Sequence, residues 1–291
     1  MSDARKQLRK LLNSGYTMAP GAYDVLTAML VEQAGFSAVY MTGGGFSRSN
    51  GFPDYGLLTL TEITNYLSRT SDAVTIPVIA DADTGHGNAI NVIRTVREFE
   101  KTGVAGFHLE DQVSPKKCGH YEGKLIVPAE EMVGKIKAAV DTRKDQDMVI
   151  IARSDARAGE GLNAAIDRVS AYLDAGADLG FVEAPRSEEE LAEITRQEPR
   201  AAFCNIFEGG KTPPVPSDRL EAMGYRIGIY PSQTHRAAIR AAQTVLETLK
   251  RAGSAADMET GIATFQDREM AVRTSWWQEQ EANYLQLDAL A

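Results

Sequence analysis

Eight short apolar runs rich in Val, Ile, Phe and Tyr alternate with longer segments whose apolar residues recur at helical spacing, and few architectures accept that rhythm. The runs lie near Tyr16 to Pro20, Ala38 to Gly43, Pro77 to Asp83, Gly106 to Asp111, Met148 to Asp155, Leu179 to Ala184, Ala201 to Phe207 and Arg226 to Pro231. Helical patterns include Asp24 to Ala34, Thr61 to Thr70, Ala89 to Lys101, Ala129 to Arg143, Ala164 to Ala175 and Thr234 to Arg251. Gly35, Gly103, Gly176 and Gly224 stand where four of these helices would close in the left-handed conformation before the next strand. Eight strands with helical crossovers predict an α/β fold, a (β/α)8 TIM-type barrel. A doubly wound open sheet is the alternative, since alternation does not report closure.

The 291 residues fit one barrel domain with a helical extension from about residue 255 that carries Trp276 and Trp277. Helices beyond a barrel commonly cover a neighbouring subunit, so an oligomer is expected. The first residues read as a short amphipathic helix; Arg5, Lys6, Arg9 and Lys10 raise the question of a transit peptide, which the interrupting Asp3 and the missing apolar stretch argue against. A formal net charge of −9 argues against nucleic acid or anionic membrane as main partners. No apolar run approaches the roughly 20 residues of a bilayer-spanning helix. With Cys118 and Cys204 as the two cysteines, no disulfide framework is required, and a cytoplasmic setting is expected.

Polar residues gather at the C-terminal ends of the runs, where barrel enzymes carry their active sites. Asp81 and Asp83 close PVIADAD, and a strand's period of two would point both the same way. Glu110 and Asp111 end GFHLED, Arg153 and Asp155 end VIIARSD, and Glu183 and Asn205 end the sixth and seventh runs. Asp54 follows in the Gly-rich stretch GGGFSRSNGFPDYG. Carboxylates converging on one mouth must share protons or a cation, and an all-oxygen set suits Mg2+ or Mn2+. Each acid alone could instead cap a helix or pair with Arg153 or Arg157, but several together favour the cation.

SPKKCGHYEGK places Cys118 beside Lys116, Lys117 and His120 on a polar loop, and positive neighbours are expected to lower the thiol's pKa and fit it for proton transfer. Cys204 reads as a small buried hydrophobe. TGGG at 42 to 45 lacks the third glycine of a dinucleotide fingerprint, Arg48 standing in its place, so its amides suit a small carboxylate or phosphate. His86, His108, His120 and His235 show no metal-ligand spacing, and His108 reads as core-lining.

KKCGH at 116 to 120, DADTGHG at 81 to 87, GFPDYG in the glycine loop and IIARSDA at 150 to 156 resemble motifs of the isocitrate lyase and phosphoenolpyruvate mutase superfamily. The likeness is to its short branch of methylisocitrate lyases, dimethylmalate lyases and carboxyphosphonoenolpyruvate mutase, and runs from about Ala19 to Leu249. It implies a (β/α)8 barrel with C-terminal helices exchanged between subunits, a homotetramer and an Mg2+ site. Residue by residue, Asp54, Asp81, Asp83 and Glu110 match the metal-holding acids. Thr42, Gly43 and Gly44 match the loop that receives a substrate carboxylate, with Arg153 as its cation. Cys118 matches the catalytic thiol, and Glu183, Asn205 and Arg236 match residues lining the distal substrate. Two residues depart from the usual pattern: Tyr121 after KKCGH, and Thr42 where Ser is common.

These features together predict an Mg2+-dependent carbon-carbon lyase acting on a di- or tricarboxylate of the 2-methylisocitrate or 2-alkylmalate (2,3-dimethylmalate) type, with Cys118 as general acid and Tyr40 as candidate base. Carboxyphosphonoenolpyruvate phosphonomutase or oxaloacetate decarboxylase chemistry is the nearest alternative. A carboxylate-binding barrel without turnover is a further one, whose expected sign would be loss of the acids.

Overall fold

The computed structural model describes residues 2–255 and 261–285. Its strands are β1 (Thr17–Ala22), β2 (Val39–Met41), β3 (Val78–Asp81), β4 (Gly106–Glu110), β5 (Val149–Ser154), β6 (Leu179–Val182), β7 (Phe203–Asn205) and β8 (Ile227–Tyr230). Every neighbouring pair is parallel, and Thr17 opposite Ile227 joins β1 to β8, so the sheet closes in sequence order. Closure settles the architecture as the barrel rather than the open sheet. The helices are α1 (Ser2–Leu12), α2 (Val25–Gln33), α3 (Gly43–Ser49), α4 (Leu60–Ala73), α5 (Ala89–Thr102), α6 (Ala129–Thr142), α7 (Leu162–Asp174), α8 (Glu188–Gln197), α9 (Ser217–Ala222), α10 (Gln233–Ala252), α11 (Phe265–Ala271) and α12 (Thr274–Leu285). All four punctuating glycines adopt positive φ, between 86° and 109°.

Two compact units divide the chain, Met1–His235 with the barrel and Arg236–Ala291 with most of α10 and the helices after it. No described helix is long and apolar enough to cross a membrane.

Strand alternation sorts the barrel's apolar side chains into two layers. On β5, Val149 and Ile151 join the interior cluster with Ile79, Phe181, Phe203 and Ile227, whereas Ile150 and Ala152 pack outward with residues of the surrounding helices. Both faces are covered, which is why such strands read as continuous apolar runs. Arg153, in register with the inward positions, is the polar end of the same row.

The amphipathic α1 contributes Leu8, fully buried in the interior cluster beside Ala38 and Ala105 at the starts of their runs. Its basic residues hold it there. Arg5 donates to the carbonyls of Val104 (3.0 Å) and Glu100 (2.6 Å) and pairs with Asp145, and Arg9 pairs with Asp178 at 2.8 Å. Leu8→Ala should therefore cost about 2–5 kcal/mol of stability, the usual range for emptying a packed leucine site. Urea unfolding should show a lower midpoint at unchanged slope; an unmoved midpoint would mean that α1 does not seal the barrel.

Candidate active site

Strand register brings the polar ends together. Asp81 on β3 lies opposite His108 on β4, and Glu110 lies opposite Arg153 on β5. The Tyr40 hydroxyl on β2 reaches both Asp81 (3.2 Å) and the His108 Nε2 (2.8 Å). Asp83 is positioned differently from the alternation argument: β3 ends at Asp81, and Asp83 takes a left-handed φ of 47°, its amide donating to Asp81 at 3.0 Å. The turn still delivers Asp83 to the same cluster.

The glycine stretch forms α3, capped by Thr42. The Gly43 N–H donates to Asp81 at 3.2 Å, and the Gly45 N–H donates to the Thr42 hydroxyl at 3.3 Å. Side chains are excluded by contact, since a Cβ on Gly43 would lie 2.7 Å from Asp81 and one on Gly44 would lie 2.9 Å from Asp54. Glycine here lets the backbone touch the acids.

The cation among these acids is Lys116, whose ammonium bridges Asp54 (2.5 Å) and Asp83 (2.9 Å). Sequence spacing places it only in the surroundings of the thiol, because nothing local reports a contact with Asp54, 62 positions away. Burial pushes the Asp83 carboxyl up to about 6, against the pull of Lys116. Burial also opposes charge on Asp81, but His108, Lys116 and Arg153 outweigh it and hold that carboxyl below its ordinary value. His108 is driven down to about 4 chiefly by burial, so it is neutral near pH 7.

Glu110 is fully buried, and neither carboxylate oxygen has a hydrogen-bond partner, although Arg153 Nη1 lies 3.2 Å from Oε2. Burial raises its pKa well above the ordinary glutamate value. One donor atom each from Asp81, His108 and Glu110 lie within 4.8 Å of one another, the spacing of a metal site. His108 thus belongs to the cluster that sequence spacing had left it out of; its strand partner Asp81 is 27 residues away, and only β3–β4 pairing joins them.

Residues 112–127 cross from β4 to α6 as a loop tied at its base, Val113 N–H to Leu125 (2.8 Å) and Val127 N–H to Asp111 (2.8 Å). It carries Cys118, and the thiol's pKa moves opposite to the sequence expectation. Burial, then Asp54, push it up, outweighing the His120 amide and Lys116. Lys116 is committed to Asp54 and Asp83, and Lys117 donates to the Gly123 carbonyl at 3.1 Å. The thiol therefore keeps its proton at neutral pH. Tyr40 is likewise held protonated well above its ordinary range by burial and Asp81. Its hydroxyl donates to Asp81 in this arrangement.

Across the mouth, Arg153 grips Asp155 with two bonds (2.9 and 3.0 Å) and approaches Glu183 at 3.6 Å. Asn205 donates to Glu183 at 3.3 Å, and His120 Nε2 lies 3.5 Å from the same carboxylate. Arg236, the remaining expected contact, lies on α10 in the second compact unit. Cys204 is buried, as expected.

A closed (β/α)8 barrel whose strand ends present clustered acids and an arginine, with a protonated thiol on the loop after β4, defines an enzyme of carboxylate chemistry. A family model described as phosphoenolpyruvate phosphomutase matches residues 8–250. The 2,3-dimethylmalate lyase of Eubacterium barkeri is 47% identical, covering 98% of this chain and 99% of its own. The chloroplastic carboxyvinyl-carboxyphosphonate phosphorylmutase of Arabidopsis thaliana is 45% identical over 96% and 84% of the two chains. The 2-methylisocitrate lyase of Aeropyrum pernix is 44% identical over 86% and 81%. The chain belongs to the phosphoenolpyruvate mutase/isocitrate lyase superfamily.

Proposed function

We propose that this protein is a divalent-cation-dependent carbon-carbon lyase that cleaves a 2-methylisocitrate or 2-alkylmalate (2,3-dimethylmalate) type substrate to pyruvate and a second carboxylate. The observation that carries the reading is the pairing of an acid cluster with a half-buried thiol that retains its proton. Near-complete coverage of both chains by the 2,3-dimethylmalate lyase favours lyase over mutase chemistry.

The residues fit a divalent ion. Glu110 offers buried oxygens without hydrogen-bond partners, Asp81 and His108 each bring a donor atom within 4.8 Å of it, and Asp54 and Asp83 meet at the Lys116 ammonium, an oxygen-rich set suited to Mg2+, or Mn2+ in its place. Once bound, such an ion supplies Lewis-acid polarisation of the substrate's hydroxyl and adjacent carboxylate. Tyr40 fixes Asp81 and His108 by hydrogen bonds. The Thr42–Gly44 stretch and Arg153 receive substrate carboxylate, the arginine offering a planar fork. Glu183 and Asn205 face the distal substituent. As the carbon-carbon bond breaks, the hydroxyl oxygen becomes the carbonyl of pyruvate and its proton passes to a carboxylate of the acid cluster, while the electron pair is left on the carbon beside the second carboxylate. The Cys118 Sγ–H delivers the proton that completes that product, and its thiolate is reprotonated before the next turnover.

The substrate is a small-molecule di- or tricarboxylate, and the assembly is a homotetramer. Ile239, Leu246, Phe265, Met270, Trp276 and Trp277 of the second unit are exposed apolar side chains, more than a solitary chain commonly leaves in water. Sedimentation should give a species of about four chains; a single species near 31.6 kDa at micromolar protein would contradict the assembly.

Pyruvate release, followed across 2-methylisocitrate, 2,3-dimethylmalate, isocitrate and oxaloacetate, tests the activity. We expect cleavage of a methylated substrate that EDTA abolishes and Mg2+ or Mn2+ restores, and that Asp83→Ala loses while its circular dichroism stays native. Full turnover in excess chelator would refute the metal requirement, and consumption of oxaloacetate alone would refute the lyase.

A further inference from the structure

The thiol loop is held over the barrel by two lysines that do different things. Lys116 binds the acids of the cluster, so a cation entering there competes for its partners. Lys124 binds outside the cluster. Its ammonium donates to Asp155 Oδ1 at 2.6 Å and to the carbonyl of Gly119, next to Cys118, and its side chain is 3% exposed. Asp155 is the same carboxylate that grips Arg153 through two hydrogen bonds. Asp155 is also a fixed post. The buried Asp111 accepts from the Asp155 amide (2.8 Å), the Ser154 hydroxyl (2.7 Å) and the Tyr172 hydroxyl (2.8 Å).

The loop's seat leaves no slack, because a Cβ on Gly119 would fall 2.5 Å from Arg153 Nη2 and 2.8 Å from Glu183. One ammonium therefore ties the peptide carrying the thiol to the carboxylate that aims the arginine. We infer that Lys124 is a positioning residue, a latch that holds the Cys118 loop shut and sets the thiol against the carboxylate bound at Arg153. The inference rests on the lyase reading for what closure serves, and on the Gly119–Lys124–Asp155 geometry for closure itself. Breaking a buried ion pair of this kind is strongly unfavourable, so the closed loop should dominate while the pair is intact.

The test uses the full chain supplied with Mg2+ and compares wild type, Lys124→Gln and Lys124→Arg, with Cys118→Ser identifying the labelled thiol. Lys124→Gln leaves Asp155 bonded to Arg153, so the chain should still fold, as read by circular dichroism, but with a lowered melting temperature. Iodoacetamide should alkylate Cys118 in Lys124→Gln roughly tenfold faster or more, with Cys204 still protected. Removing a cation can only favour the protonated thiol and slow alkylation, so acceleration reads opening. Turnover should fall by about 10²-fold with a much smaller change in KM, as expected for a misplaced group. Lys124→Arg should recover much of both.

Unchanged alkylation in Lys124→Gln would overturn the latch, whatever happens to turnover. Equal loss of turnover in Lys124→Gln and Lys124→Arg, with equal alkylation, would overturn it as well. Because alkylation is read without substrate, a chain that cleaved none of the substrates above would sink the lyase reading and leave the latch measurable.

Discussion

The mouth of this barrel is organised by unbalanced buried charge. Asp54, Asp81, Glu110, Asp155 and Glu183 are buried with Asp83 close by, and the cations facing them are Lys116, Lys124 and Arg153. Carboxylates removed from water must be paired, protonated or bound to metal, because the desolvation cost of a lone buried charge is several kcal/mol. Asp155 is paired on two sides and its carboxyl is held low despite burial. Asp83 and Glu110 are pushed up, mainly by burial, which is the mark of a site short of positive charge. A bound cation would supply that charge.

The rest of the site follows from accommodating the cluster. Glycines at 43, 44 and 119 let backbone lie directly on acid or arginine where any side chain would collide. The thiol loop brings Lys116 into the acids and carries Cys118 half-buried at the mouth. Burial there raises the thiol's pKa, so the group suits delivery of a proton rather than nucleophilic attack. Arg153 stays charged and is oriented by Asp155.

Much of this was legible in the sequence, because strand alternation and chain order are local signals. The eight apolar runs became eight strands, and the acids at their ends became the mouth. The short α3 was read as a glycine loop, since GGGFSRS has low helix propensity and its helix depends on the Thr42 cap and its packed surroundings. α8 (EEELAEITRQ) and α9 (SDRLEA) are short and rich in charged residues, leaving few apolar positions to mark a helical face in the sequence. Three features of the site depend on tertiary contacts that spacing does not encode: His108 beside Asp81, Lys116 between Asp54 and Asp83, and the upward shift of Cys118. The last is instructive, because nearby lysines predicted the opposite sign. Their charges are engaged elsewhere, and burial decides.

The central claim is that Cys118 gives its proton to the departing carbanion. The direct measurement is the turnover of Cys118→Ser on the methylated substrate with Mg2+ present, alongside its affinity for that substrate. A hydroxyl of similar size should leave binding nearly intact while turnover falls by roughly 10² to 10⁴-fold, the range for a positioned general acid. Cleavage by Cys118→Ser as fast as wild type would contradict the account.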